Sequence, residues 1–132
     1  MTKEYVPLSE PEFEAAMHRV LRALHFRTTY LKTLRHNPLL WSRMVTEQAG
    51  VEADEVKRIA ALERIIEEAA LKLKSVPRQE KFYNALYHAY LQPARTLREA
   101  ADLTGVSFGT FLRHRKVGAT QLIELLWQRE IG

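Results

Sequence analysis

Apolar residues recur along this chain at steps of three and four, the spacing that gathers them on one face of an α-helix. No segment alternates apolar and polar residues at the period of two that a half-buried strand needs. Phe13, Met17, Val20, Leu21 and Leu24 form the first stripe, introduced by the capping box of Ser9 and Glu12, with Pro11 tolerable in a first helical turn. A second short helix is expected over Thr28 to Leu34, with Tyr30, Leu31 and Leu34 as its apolar side. The pattern restarts at Asn37, a good N-cap with Pro38 at the first helical position, and Gly50 ends it; Leu40, Trp41, Met44 and Val45 are its packing residues. The longest helix is predicted from about Glu52 to Lys74, with Val56, Ile59, Leu62, Ile66, Ala69 and Leu73 as its stripe. Asp54 with Arg58 and Glu68 with Lys72 stand four apart in the order that favours ion pairing.

Pro77, in "SVPRQE", is the best internal boundary. It divides the chain into an N-terminal helical bundle, 1–76, and a second unit, 77–132, expected to share one core with the first. Arg78 to Leu91 should be helical, with Phe82, Leu86, Ala89 and Tyr90 inward, and Pro93 stops it. Thr96 and Glu99 read as a second capping box, Gly105 as a turn, and Ser107 as the cap of a final helix running toward Arg129. Gly109 and Gly118 each weaken that helix by about 1 kcal/mol relative to Ala. The chain is therefore expected to be all-α, a multi-helix bundle with a C-terminal helix-turn-helix.

The helix-turn-helix expectation rests on spacing. The second helix crosses the first closely, so a small residue is needed there; Ala101 supplies it. Four residues on, the turn requires a positive φ, and Gly105 supplies that. Val106 and Phe111 then lock the crossing, and Thr110 is a small polar residue before Phe111. Over roughly residues 81–126 the chain resembles region 4 of bacterial sigma factors, and more loosely the helix-turn-helix of response regulators. The matching residues are Glu99-Ala100-Ala101, Gly105-Val106-Ser107 and Gly109-Thr110-Phe111, with Leu122 further on. The resemblance implies that the second helix enters the major groove of duplex DNA. It nominates Ser107, Phe108, Thr110, Leu112, Arg113 and Lys116 as contact residues, with Arg95, Thr96 and Arg98 near the DNA backbone.

The chain departs from that family in ways that matter. Phe108 and Leu112 are apolar at positions expected to be exposed on the reading helix. They can touch thymine methyls, but they cannot make the bidentate hydrogen bonds that discriminate bases by about 1–3 kcal/mol each. Arg115 stands where the family buries an apolar residue, and Gly118 where it has Ala. Arg113 is the one good candidate for guanine readout. A weaker resemblance, carried by "LSEPEFEAAMHRVLRALH", "NPLLWSRMV" and "YLQPARTLREAADL", is to an uncharacterised bacterial segment found beside ATPase modules. It implies an accessory domain of a larger regulatory protein. Two functions are thus open: a DNA-binding transcription regulator, or a protein-interaction module in which Phe108 and Leu112, with Tyr83 or Tyr87, dock a partner or a second copy.

Composition narrows the classes. With 46% apolar residues among 132, a real core can form. The formal net charge is +4, and the excess is concentrated late: residues 78–132 carry 8 Lys and Arg against 5 acids. The window Ser107 to Gln121 holds Arg113, His114, Arg115 and Lys116 and no acid, which suits an anionic partner. The absence of cysteine excludes disulfides and thiolate metal sites and suits a reducing cytoplasm. No apolar run approaches the roughly 20 residues that span a bilayer, and the N-terminal stretch lacks the basic-then-apolar order of a signal peptide.

No phosphate-cradling loop or HExxH unit occurs, so no cofactor, metal or catalytic activity is expected. His18 and His25 stand seven apart but would need His36, His88 or a carboxylate to complete a metal site. Glu63, Glu67 and Glu68 read as a solvated face. Phe82 and Tyr90 read as core, Tyr83 and Tyr87 as a shared patch, and Leu126 and Trp127 as core or a dimer contact.

Overall fold

The structure is a computed structural model that describes residues 4–26 and 30–132, the side chains of residues 30 and 31 excepted. The described residues are all-helical, as expected, with no strand among them. The helices are α1 (Glu10–His25), α2 (Tyr30–Leu34), α3 (Arg43–Ala49), α4 (Glu55–Ser75), α5 (Glu80–Leu86), α6 (Leu97–Thr104) and α7 (Phe108–Ile131). The expected start of α2 at Thr28, and its packing residues Tyr30 and Leu31, lie outside what is described; Leu34 is buried. No described helix is long and apolar enough to cross a membrane.

The caps explain where the helices begin. Ser9 and Glu12 close their box before α1 through hydrogen bonds of 3.0 and 3.3 Å. The segment from Asn37 to Gly50 is two elements, not the single helix its pattern suggests. Asn37 caps a 3-10 turn, Pro38–Trp41, and Ser42 is extended, so that its hydroxyl caps α3. Ser42 Oγ also donates to Leu39 O at 2.7 Å, which fixes the break. The break turns Trp41 outward, and its ring lies over the Arg58 guanidinium at 4.2 Å.

Arg58 corrects the reading of α4. Asp54 does not pair with it; Asp54 is the N-cap and accepts from Lys57 N at 2.9 Å. Arg58 is 1% exposed and donates to Ala53 O, Leu40 O, Thr46 Oγ1, Gly50 O and Val51 O. Most of these are carbonyls left without helical partners around the ends of the 3-10 turn and of α3, and a guanidinium has the five N–H groups to satisfy them. The buried face of α4 is rotated accordingly. Ile65 and Ala70 are inside, while Val56, expected in the stripe, is 74% exposed. Glu68 meets Arg64 at 3.2 Å and Arg129 at 3.8 Å rather than Lys72.

After α5 the chain continues through a π-helical turn, Tyr87–Leu91, before Pro93. The largest core cluster joins α1, α3 and α4 to Leu86 of α5 and to Ala119, Leu122, Ile123 and Leu126 of α7. A smaller cluster, Ala85, Ala89, Ala100, Ala101 and Phe111, lies under α6 and the start of α7. Helix α7 thus belongs to both. Its last turns are fastened to the N-terminal part by the Trp127 ring against Phe13 at 5.2 Å. There too the buried Glu130 carboxylate accepts from Arg43 N and Met44 N at 3.0 and 2.9 Å. Where α7 crosses α5, a Cβ on Gly118 would sit 3.0 Å from both Leu86 Cγ and Phe82 O. Pro77 therefore marks a break in the chain but not in the core.

Candidate nucleic-acid interface

Helix α6 begins at Thr96, whose hydroxyl accepts from Glu99 N at 3.1 Å. The Glu99 carboxylate does not close the expected box; it faces the Arg95 guanidinium at 3.5 Å. Helix α6 ends on Gly105, in the left-handed conformation at φ 74° and ψ 17°, a position that glycine occupies without the steric cost of a Cβ. Ser107 then caps α7, accepting from Thr110 N at 3.2 Å and donating to Thr110 Oγ1 at 2.9 Å. Phe111 is wholly buried against Ala100 and Ala101, which fixes how α7 leaves the turn.

Along the first turns of α7 the solvent-facing positions are Gly109, Arg113, Lys116, Val117 and Thr120, a single helical stripe. Nothing lies within 4 Å of a Cβ built on Gly109, so the backbone there is bare. The Arg113 guanidinium donates to Thr110 Oγ1 at 3.2 Å, continuing the chain from Ser107. Among the described residues, Arg98, Arg113 and Lys116 have no carboxylate at ion-pair distance. His114 lies edge-on to Phe82 at 5.5 Å. Burial, then the charges of Lys81 and Arg113, holds its imidazole below the ordinary value of about 6.5.

Phe108 and Leu112, expected on the exposed face, are half-buried and pack on the small core cluster. The reason is local: that cluster is mostly alanine, too shallow to close itself, and these two side chains roof it. The Arg98 guanidinium covers Phe108 at 4.3 Å from the ring centroid. The nine nominated residues therefore divide. Ser107, Arg113 and Lys116 are exposed at the start of α7, and Thr110 between them is half-buried, its hydroxyl held by Ser107 and Arg113. Thr96 is spent as a cap, Arg95 is partnered by Glu99, Arg98 stacks on Phe108, and Phe108 and Leu112 face inward. Gly109 joins the candidate face only through the structure, because a glycine in a first turn reads as weakness when its surroundings are unknown.

The other candidates resolve into structure. His18 stands 3.8 Å from Glu14, and His25 Nδ1 is 3.1 Å from Ala89 O. Among the described residues no group of three or more His, Asp or Glu is placed to hold a metal ion. Tyr83 and Tyr87 are neighbours at 6.0 Å between ring centroids, both half-buried, and burial pushes the Tyr83 hydroxyl up. No family model, curated protein or solved structure matches the chain.

Proposed function

We propose that α6 and α7 form a DNA-binding helix-turn-helix and that the chain is a regulator that docks the exposed stripe of α7 on duplex DNA. The observation that carries this reading is the face itself. Gly109, Arg113 and Lys116 are exposed together, with Ser107 and Thr110 at the open N-terminus of the helix. In the described core the N-terminal part meets α7 at Ala119, Leu122, Ile123 and Leu126, while Gly109, Arg113 and Lys116 stay exposed. Arg113 and Lys116 neutralise phosphates or, for Arg113, reach a guanine edge once it releases Thr110. The bare backbone at Gly109 admits a sugar-phosphate strand close to the helix N-terminus, where free N–H groups favour anions. The rival, a docking patch built on Phe108 and Leu112, loses support because the chain itself half-covers both.

A titration of protein into labelled duplex at low salt tests the reading, followed by selection of bound duplexes from a random pool. Phosphate neutralisation releases counterions, so affinity should fall steeply as salt rises. Replacing Arg113 and Lys116 together by Ala should lower the slope of log affinity against log salt by about 2, one for each lost phosphate contact. No complex at low salt refutes the function. Binding with an unchanged slope in the double variant refutes the assignment of the face.

A further inference from the structure

A concave site lies away from that face, between α1, the π-helical turn and the helices α6 and α7. It is a groove of about 350 Å³, at the lower end of the roughly 300–1,000 Å³ typical of small-molecule pockets. Its polar lining comes from Arg22, Arg115, His18 and His25, and among the described residues no carboxylate is part of it. Its apolar lining is Leu21, Phe26, Leu97 and the ring of Tyr90. Arg115 is half-buried, yet among the described residues it has neither an ion pair nor a hydrogen-bond acceptor, and Arg22 has no carboxylate partner. A guanidinium matches carboxylate and phosphate in a planar two-point geometry, so a half-buried one without a partner in the chain can receive an anion from solution.

The surrounding backbone supports a built site. The π-helical turn that presents Tyr90 is a rare conformation that tends to occur where a helix carries function. His25 Nδ1, 3.1 Å from Ala89 O, ties α1 to that turn at the edge of the groove. The charge of Arg115 reaches the Tyr90 hydroxyl, which burial pushes up and Arg115 draws down. Two guanidiniums, the exposed one of Arg22 and the half-buried one of Arg115, thus share the lining of one groove with aromatic and aliphatic side chains.

We infer that this groove binds a small amphipathic anion, an aryl or alkyl carboxylate or phosphate, with its charged head between Arg22 and Arg115 and its apolar body against Leu97, Tyr90 and Phe26. The site does not depend on the DNA reading, because its ligand is taken from solution and none of its residues belongs to the exposed stripe of α7.

The test is a titration of the full chain, without DNA, followed by NMR at the His25 and Tyr90 ring signals and the Leu97 methyls. The probes are benzoate and phenyl phosphate, with neutral benzamide and inorganic phosphate as comparisons. Benzoate and phenyl phosphate should shift these signals saturably. Benzamide and inorganic phosphate should bind about tenfold more weakly or worse, each lacking one half of the recognition. Arg22→Gln and Arg115→Gln, with amide spectra otherwise unchanged, should each weaken the aryl anions by about tenfold, as expected for one lost charged hydrogen bond. Benzamide binding as well as benzoate, unweakened binding in both variants, or no saturable shift with either aryl anion overturns the inference.

Discussion

Two glycines of α7 face opposite demands. Gly118 sits where α7 crosses α5, and one of the atoms 3.0 Å from its would-be Cβ is a backbone oxygen, Phe82 O, which cannot swing aside. Gly118→Ala should destabilise the fold by about 1–3 kcal/mol in a urea titration, overpacking outweighing the gain in helix propensity. Gly109 has open space, so Gly109→Ala should stabilise by up to about 1 kcal/mol in the same experiment. If the bare backbone receives a DNA strand, the same substitution weakens duplex binding while the fold gains.

His114 makes a separate prediction. Its folded pKa is depressed, so the unfolded chain binds its proton more readily. Stability attributable to this ring is complete above its unfolded value of about 6.5 and is lost as pH falls through the folded value. His114→Gln should flatten the fall in urea midpoint as pH drops below about 6.5; an identical profile in the variant would remove the depression assigned first to burial and then to Lys81 and Arg113. The roles of Ala101, Gly105 and Phe111 were legible, because their spacing lies within one turn of chain. Those of Gly118, Arg58 and Glu130 were not, because their partners are brought from other helices.

At the scale of elements, α3 shows how a segment too short to persist alone is held. Seven residues cannot form a stable isolated helix. Its N-terminal N–H groups are taken by the Ser42 hydroxyl and by both oxygens of Glu130, and the carbonyls after its C-terminus by Arg58. Glu130→Ala removes two charge-assisted hydrogen bonds and leaves two donors in a covered site, a loss of about 2–4 kcal/mol. Glu130→Gln keeps a single acceptor oxygen and should fall between the two in thermal midpoint. The apolar period found α3 and its end at Gly50, but it ran the 3-10 turn and α3 together. Periodicity records which residues are apolar, whereas the break is made by Ser42, a polar residue that bonds back to Leu39.

For the whole molecule, the decisive question is whether residues 1–76 and 77–132 are separable. The linker at Pro77 suggests two units, but the core does not follow it. Leu122, Ile123 and Leu126 are buried in the same cluster as Phe13, Met17 and Leu62. Cutting the chain after residue 76 would expose these side chains on both pieces, and each large apolar side chain contributes about 1.5–3 kcal/mol when buried. That loss is a large fraction of the roughly 5–15 kcal/mol that holds a domain together, so neither piece should retain a cooperative fold. The intact chain should unfold in one transition. Trp41 reports on the neighbourhood of α3 and α4 and Trp127 on the contact of α7 with α1, so Trp41→Phe and Trp127→Phe each leave one local reporter. Within each variant, the urea midpoint from the remaining tryptophan should coincide with that from helical circular dichroism. A 77–132 fragment with its own sharp transition, or a Trp127 midpoint displaced from the helical one, would show two foldable units. In that case Gly105, Phe111 and the small alanine cluster would have to hold α6 to α7 without the N-terminal helices.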